Sequence, residues 1–342
     1  MKSIISIFLF AISLSTIAKG QNKELKLDFN NDKTTLKKYA HVYAIDKRII
    51  KNTLGYVQTG AFDRNTNVNY KGNLVEDMAK FFQCNDKPCI ENNKELAIVL
   101  DELYFDEGVK YYNFGDMDLG IRFFEKDSLG NFYERIKIDS EYTVINMIDV
   151  TNKLLHSLSK RLNEVKEDLN APPSLIPVNT PHYTLNELQS LDSIEKLSIP
   201  IYQTEHIKAG IFKDFEHFKM NDPDSAKVFI ENEDGKLLDA YVWDEVKNKK
   251  VNWNKINCYA LSDGKTLVKK NNYSLHVMNK IGSDFYYLSK NVIGYNPTLI
   301  NFGYIITNQG MLMWRPNLKD GLIVFKIDYR NGKCVPFKYS EK

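Results

Sequence analysis

Four ionisable residues near the middle of the chain have side chains that could act as a general acid and base. His182 follows a proline-rich segment, Glu205 and His206 are neighbours further along, and Asp263 lies in a turn sequence. Imidazole and carboxylate groups can exchange protons near neutral pH, as general acid–base catalysis requires. These residues support one hypothesis, a hydrolase whose site lies at a domain junction and follows no known motif.

Four cysteines form a second set, with Cys84 and Cys89 early in the chain and Cys258 and Cys334 late. In an exported chain an even number of cysteines indicates disulfides, and four cysteines allow three pairings. We expect Cys84–Cys89 and Cys258–Cys334, because each bridge then stays within one predicted domain. The alternative is a zinc site. However, the C-x4-C spacing is wider than the usual C-x2-C knuckle, and no paired histidines accompany it, so we predict no metal.

The motifs of several common chemistries are missing from the sequence. It contains no G-x-S-x-G nucleophile elbow and no H-E-x-x-H zinc helix. It also lacks both glycine-rich phosphate-binding patterns, so we predict no cofactor. The acidic run at 221–225 lacks the alternating ligands and distal glutamate of a calcium loop, and we interpret it as a solvated turn.

The run GIFKDFEHF at 210–218 concentrates aromatic and ionisable residues. Asp214 is a plausible N-cap for a short helix. Glu216 and His217 could form an acid–base pair, but adjacent helical residues point about 100° apart. We therefore interpret the run as a short helix whose aromatic side covers the edge of a β-domain. Its aromatic residues are Phe212, Phe215 and Phe218.

Residues 21–169 predict a small α+β domain. Asn73 precedes a helical pattern that ends at 82, and Glu76 lies where a capping box places it. The apolar run at 95–105 predicts a strand, and two strand sequences flank the turn at 127–131 as in a β-hairpin. Residues 149–169 repeat leucine and valine at helical spacing. The order β-α-β-β-α predicts helices on one face of a mostly antiparallel sheet.

Residues 170–198 are predicted to be a proline-containing linker with a lead-in helix at 185–197. Four prolines between 172 and 181 remove backbone donors and disfavour helix. From 199 to 342 strand-like runs alternate with turn sequences such as SDGK and RNGK. This spacing predicts an antiparallel β-rich domain, built as a roll, barrel or sandwich. The run IPIYQ at 199–203 is expected to be a strand that Gly210 ends.

Aromatic residues are abundant in the predicted C-terminal strands, and they allow two interpretations. Their rings could form a platform for carbohydrate or peptide, because they offer apolar faces with a polar handle. They could equally be ordinary strand composition. These residues are Phe285, Tyr286, Tyr287, Tyr295, Phe302, Tyr304 and Trp314.

Residues 199–290 resemble uncharacterised secreted proteins of Bacteroidota-type bacteria that share a C-terminal module. The pattern is Gly-Ile-Tyr/Phe, then Phe-x-x-Phe and Asn-x-Pro, then a Ser-Asp-Gly-Lys turn. Where that pattern has Trp-Gly before the turn, this chain has Tyr259 and Ala260. The resemblance implies a compartment and a structural module, with no assigned activity. The matching residues are Gly210, Phe215, Phe218, Asn221, Pro223, Ser262, Asp263 and Gly264.

The first twenty residues predict a secretory signal peptide. Lys2 precedes an apolar run from 4 to 18, and Ala-Lys-Gly then fits a cleavage site between Gly20 and Gln21. The alternative is a retained N-terminal anchor. No later stretch reaches membrane-spanning length, so we expect no transmembrane segment after signal removal. The protein is expected to be secreted or periplasmic, or to reach the cell surface.

The mature chain is expected to be electrically neutral. Removing residues 1–20 takes two lysines from 46 basic residues, which leaves 44 against 44 acidic residues. Nucleic-acid binding generally needs a basic excess, so we predict no nucleic-acid partner. The preferred hypothesis is a non-enzymatic binding or envelope-associated protein that recognises an envelope protein, peptide or glycan. The alternatives are the hydrolase described above and a secreted effector or toxin.

Overall fold

The computed structural model divides the chain into two compact units, Met1–Asp127 with Tyr133–Pro181, and Ser128–Phe132 with His182–Lys342. The predicted signal peptide and its cleavage site at Gly20 and Gln21 lie outside the part of the chain that the structure describes. The described residues are 23–25, 36, 38–59, 64–84, 94–109, 113–145, 150–172, 179–233, 236–271, 274–290, 303–307, 310–314 and 322–340.

The first unit is built on one mixed sheet with two helices. The sheet order is β1-β4-β3-β5-β6-β7, and β2 also pairs with β5. The strands are β1 (Lys23–Leu25), β2 (Tyr39–Asp46), β3 (Gly55–Thr59), β4 (Arg64–Tyr70), β5 (Lys94–Val109), β6 (Asn113–Lys126) and β7 (Phe132–Ile145), and the helices are α1 (Leu74–Phe82) and α2 (Val150–Asn170).

Strand β5 organises the first unit, because it pairs with three other strands. It runs parallel to β2 along its first half and parallel to β3 near its end. It runs antiparallel to β6 along its length, with an irregularity between Leu100 and Glu102. Strand β5 confirms the strand predicted at 95–105, and the neighbouring strands β6 and β7 on either side of the turn at 127–131 confirm the predicted hairpin. The parallel pairs were not expected from the sequence.

Helix α1 begins and packs as its sequence predicts. The side chain of Asn73 accepts a hydrogen bond from the backbone N–H of Glu76 at 3.4 Å, which satisfies one free donor of the first turn. Leu74, Met78 and Phe82 are buried. These residues join the apolar cluster that covers one face of the sheet.

Helix α2 packs closely on β6 because of Gly115. A Cβ at this position would lie 2.9 Å from the Leu154 side chain, closer than real Cβ atoms come to a neighbour. The buried side of α2 enters the same apolar cluster as α1, including Leu154, Leu158 and Leu162. Both helices therefore lie on one face of the sheet, as the α+β prediction states.

The second unit contains a seven-stranded antiparallel sheet, a three-stranded sheet and a two-stranded one. Their orders are β20-β19-β16-β15-β14-β13-β9, β10-β11-β12 and β17-β18. The first elements are β8 (His182–Tyr183), α3 (Leu185–Gln189), α4 (Leu191–Leu197), α5 (Pro200–Gln203), β9 (Gly210–Phe212), α6 (Phe215–Lys219), β10 (Lys227–Glu233), β11 (Lys236–Asp244) and β12 (Lys249–Asn252). The later strands are β13 (Ala260–Ser262), β14 (Leu267–Asn271), β15 (Ser274–Ile281), β16 (Asp284–Lys290), β17 (Gly303–Thr307), β18 (Gly310–Trp314), β19 (Leu322–Ile327) and β20 (Cys334–Ser340).

The two faces of the seven-stranded sheet are covered by different elements. Phe212, Met278 and Phe285 point into an aromatic cluster together with residues of α5 and α6. Their strand neighbours Ile211 and Val277 point the other way, into a smaller cluster shared with β10 and β11. This alternation is the two-residue period of a strand that is buried on both sides.

The GIFKDFEHF run is part of this core. Asp214 caps α6 by accepting a hydrogen bond from the backbone N–H of His217 at 2.9 Å, as predicted. Phe212, Phe215 and Phe218 are buried, which confirms the structural interpretation of the run. Phe212 lies on β9 rather than on the helix.

The run IPIYQ is a helical turn, so its prediction as a strand is wrong. Pro200 occupies the first turn of α5, where its missing N–H costs nothing. Ile201 and Tyr202 are buried in the aromatic cluster. Lys280 stabilises the end of this turn, because its amine donates to the carbonyls of Tyr202 and Thr204, both at 2.7 Å.

The α+β and β-rich fold class is confirmed. The sheets that the structure describes are open and show no barrel closure. Among the described residues, none of the helices has the length and apolar character needed to span a membrane.

Candidate binding surface

The four predicted acid–base residues all lie in the second unit. His182, Glu205 and His206 are exposed, and Asp263 is half-buried between β13 and β14. The oxygen Oδ1 of Asp263 accepts hydrogen bonds from the backbone N–H groups of Lys265 and Thr266, which holds the turn. Asp263 therefore has a structural role there.

Glu205 and His206 are adjacent in the chain and take part in a local turn. The backbone N–H of His206 donates to Thr204 Oγ1 at 3.0 Å, and its carbonyl accepts from Asn221 Nδ2 at 3.2 Å. Within the described ranges no hydrogen bond joins the side chains of Glu205, His206 and Asp263. The hydrolase hypothesis thus stays a prediction without a supporting arrangement of side chains.

The predicted Cys258–Cys334 disulfide is wrong, because both residues are free thiols. Cys334 packs against the aromatic cluster on one face of the sheet. Cys258 packs against the smaller cluster on the other face. The predicted Cys84–Cys89 pair falls partly outside the described residues, since Cys89 is not among them. Burial raises the pKa of both free thiols, so neither is an activated nucleophile.

In the part of the chain that the structure describes, no group of three or more His, Cys, Asp or Glu side chains is placed to hold a metal ion. The buried carboxylate of Glu125 illustrates how the fold uses its charges. It forms ion pairs with Lys94 and Arg135 and accepts a hydrogen bond from Tyr39 Oη at 2.9 Å. This carboxylate therefore holds strands of the first unit together.

Asp106, in the first unit, has a pKa well above that of an ordinary aspartate. It lies directly opposite Asp116 in the β5–β6 register, and Thr143 donates to Asp116 at 2.7 Å. Burial, and then the carboxylates of Asp116, Asp118 and Glu107, raise the pKa of Asp106 to about 6. A carboxyl group with this pKa can exchange protons near neutral pH.

Of the seven residues of the predicted aromatic platform, the structure describes the side chains of three. Phe285 and Tyr287 are buried in the aromatic cluster, and Tyr286 is half-buried. Tyr295 and Phe302 lie outside the described residues, and only the backbone is described for the strands that carry Tyr304 and Trp314. The platform interpretation is therefore untested for these four residues.

A different row of aromatic residues lies on the outer side of the three-stranded sheet. Phe229 and Tyr241 are directly opposite each other on β10 and β11, and their rings stack at 5.0 Å. The inner side of this sheet packs against an apolar cluster. Phe229 lies on the opposite side and is 37 % exposed. Trp243 follows two positions after Tyr241, so it points to the same side. We call this row, Phe229, Tyr241 and Trp243, the aromatic row.

Charged side chains flank the aromatic row. The amine of Lys250 lies 4.0 Å from the centre of the Tyr241 ring and 2.5 Å from Asp239 Oδ2. Trp243 pairs with Lys227 on one side and with Lys250 on the other. Among the described residues nothing stacks on the half-buried indole of Trp243 or bonds to its N–H. Part of the indole therefore remains exposed, and its N–H is an unused donor within the described part of the chain.

Sequence reasoning missed the aromatic row, although a signal for it exists. In KVFIENE and KLLDAYVWD the aromatic residues alternate with Val228, Ala240 and Val242. These partners face the inner apolar cluster. A strand with apolar residues on one side and aromatic residues on the other predicts two covered faces, or one covered face and one binding face.

Comparisons with known proteins add no class to this description. No family model matches the sequence, and no curated protein matches it. A solved structure described as a crystal structure of an uncharacterized protein matches 44 % of this chain and 97 % of its own, with 9 % identity and a TM-score of 0.26. A likeness at this level carries no argument about fold or function.

Proposed function

We propose that this chain is an exported binding protein and that the outer side of the three-stranded sheet is its binding surface. The N-terminal pattern of Lys2, an apolar run and a small-residue cleavage site supports export to the periplasm or beyond. The resemblance of residues 199–290 to secreted Bacteroidota-type proteins supports the same location. The expected partners belong to the cell envelope.

The aromatic row is the observation that carries the proposal. Aromatic rings that remain exposed on a folded surface keep apolar area in water, and burying that area against a partner is favourable. Aromatic residues are also enriched among the residues that contribute most to binding. Within the row, Phe229 supplies exposed area and Trp243 supplies a partly exposed indole on which no described ring stacks.

The test is chemical cross-linking of the full chain in envelope fractions of cells that express it. We expect the wild-type chain to give a defined adduct that is lost in Trp243→Ala. Phe337→Ala is the matched control, because Phe337 is also an aromatic residue on a strand and is 51 % exposed. An adduct pattern that is identical in wild type and Trp243→Ala would contradict the assignment of this surface.

Export is tested separately by sequencing the N-terminus of the protein recovered from the periplasm or medium. Cleavage after Gly20 would leave Gln21 as the first residue. Protein that stays in the cytoplasm with Met1 intact would contradict the export proposal.

A further inference from the structure

We infer that the ligand of the aromatic row is an uncharged oligosaccharide. This inference rests on the proposed function, and it specifies the partner of that same surface. Three properties of the surface carry it: the exposed area of Phe229 beside an indole on which no described ring stacks, the balance of charge, and the protection of the strand edges.

The aromatic row provides exposed apolar area at Phe229 and an indole at Trp243 on which no described ring stacks, whereas the ring of Tyr241 contacts Phe229 and Lys250. Tyr241 and Trp243 are two residues apart on one strand, so they are separated by about 7 Å along it. Phe229 extends the row across to β10. A sugar ring carries C–H groups on its faces and hydroxyl groups around its rim. Its face can therefore stack on the Trp243 indole, while its hydroxyls reach polar neighbours.

The charges around the aromatic row cancel. Lys227 and Lys250 are matched by Glu231 and Asp239 on the same side of the sheet, since their register positions alternate with the inward residues. Lys250 is already paired with Asp239. A polyanion or polycation gains no net attraction from such a surface. The hydroxyl groups of a sugar can form hydrogen bonds with this surface, because they donate to the carboxylates and accept from the amines.

The edges of the three-stranded sheet argue against an extended peptide as the ligand. A peptide that adds to a sheet needs a regular open edge. The pairing of β10 shifts between Glu231 and Asn232, which interrupts its regularity. The other edge, β12, is four residues long and begins with two lysines. Short, charged and bulged edges disfavour strand addition, so the face of the sheet is the better candidate for contact.

The experiment is isothermal titration calorimetry of the full mature chain with defined oligosaccharides. The neutral probes are the hexasaccharides of β-linked glucose and of N-acetylglucosamine. The charged comparators are a heparin-derived hexasaccharide and hexalysine. We expect a neutral probe to bind and Trp243→Ala to weaken its binding about tenfold or more, equal to about 1.4 kcal/mol. Phe337→Ala should bind as the wild type does.

Each other result overturns the inference. Binding of only the heparin fragment or only hexalysine would show that charge selects the ligand. Equal binding of a neutral probe to wild type and Trp243→Ala would place the sugar site elsewhere. Failure of both neutral probes to bind also rejects the inference. In that case the cross-linking experiment decides separately whether the aromatic row binds another partner.

Discussion

The amine of Lys269 lies 3.8 Å from the centre of the Tyr259 ring, and the lysine is only 7 % exposed. It donates to the carbonyl of Lys270 at 2.9 Å and to that of Tyr259 at 3.3 Å. Burial lowers the pKa of Lys269, while the neighbouring Cys334 and Cys258 act in the opposite direction. The second unit therefore holds a buried amine whose charged form is disfavoured by desolvation.

We predict that Lys269→Met stabilises the protein by about 1 kcal/mol at pH 7, because it removes a charge from an apolar site. The folded-state pKa is below the ordinary value of 10.5. The penalty is thus complete at pH values below the folded-state pKa and fades as the pH rises towards 10.5. Denaturant unfolding at pH 7 and at pH 10 measures both points.

Lys270→Met is the matched control for this prediction. Lys270 is the next residue on β14, is half-buried and donates to the carbonyl of Ile256. We expect no gain from this substitution. If Lys269→Met instead lowers the free energy of unfolding at pH 7, the contacts of the amine outweigh its desolvation and the prediction is wrong.

We predict that Asp106→Asn stabilises the protein above pH 6 by about 1–2 kcal/mol. This gain is smaller than the rise in the pKa of Asp106 would give by itself, because the side chain is only half-buried and solvent screens its charge. The raised pKa of about 6 means that the folded chain binds this proton more tightly than an ordinary carboxyl of pKa 3.8. Wild-type stability therefore decreases as the pH rises from about 3.8 to about 6. The gain in Asp106→Asn should vanish below about pH 4.

Thermal unfolding of Asp106→Asn between pH 3.5 and pH 8 measures this dependence as a difference in Tm. Asp222→Asn is the control, since Asp222 is exposed and should show no such profile. A Tm difference that stays constant across this range would contradict the raised pKa of Asp106.

We predict that Gly210→Ala destabilises the protein by about 2 kcal/mol or more. Gly210 has φ +143°, which L-residues rarely adopt, and a Cβ there would fall on the carbonyl oxygen of Asp224 and 2.9 Å from Pro223 Cβ. The backbone bonds between Ile211 and Asp224 would have to break or shift. Chemical denaturation measures the loss.

Gly282→Ala is the matched control for Gly210→Ala. Gly282 also has a positive φ, of 61°, but a Cβ there meets nothing within 4 Å. Only the conformational cost remains, about 1 kcal/mol. Equal losses in the two variants would show that the close approach of Asp224 and Pro223 to Gly210 has no energetic effect.

We predict that Tyr202→Phe leaves stability unchanged or increases it by up to about 1 kcal/mol. The hydroxyl of Tyr202 is buried without a hydrogen-bond partner, so its removal recovers a desolvation cost. Tyr329→Phe is the contrast, because that hydroxyl donates to Glu195 Oε2 at 2.5 Å. A loss in Tyr202→Phe comparable to that in Tyr329→Phe would show that the Tyr202 hydroxyl is satisfied.

Local sequence signals predicted the local structure well. The N-cap at Asn73, the leucine spacing of α2 and the turn glycine at Gly264 each act over a few residues, so the sequence alone reveals them. The prediction of IPIYQ as a strand was wrong because the run begins a helical turn at Pro200 and buries both Ile201 and Tyr202. For so short an apolar run, the residue pattern alone does not distinguish a helix from a strand.

The candidate binding surface was harder to predict from the sequence, because it depends on the register in which the strands pair. Cys258 and Cys334 were expected to meet, and only the pairing of seven strands shows that they face different clusters. The aromatic row is likewise invisible until β10 and β11 are paired. Residue type identifies which groups could bind, and register decides which of them share a face.

The layer that carries the aromatic row is held to the seven-stranded sheet by few fully buried side chains. The buried side chains are Val228 of β10 and Ala240 of β11, and they pack in one cluster with Leu261 and Val268 of the seven-stranded sheet. The opposite face is held by a much larger aromatic cluster. The three-stranded sheet should therefore exchange its amide hydrogens before β14 to β16 do. The second unit then contains two cooperative units of unequal stability, and a ligand on the aromatic row would protect the weaker one.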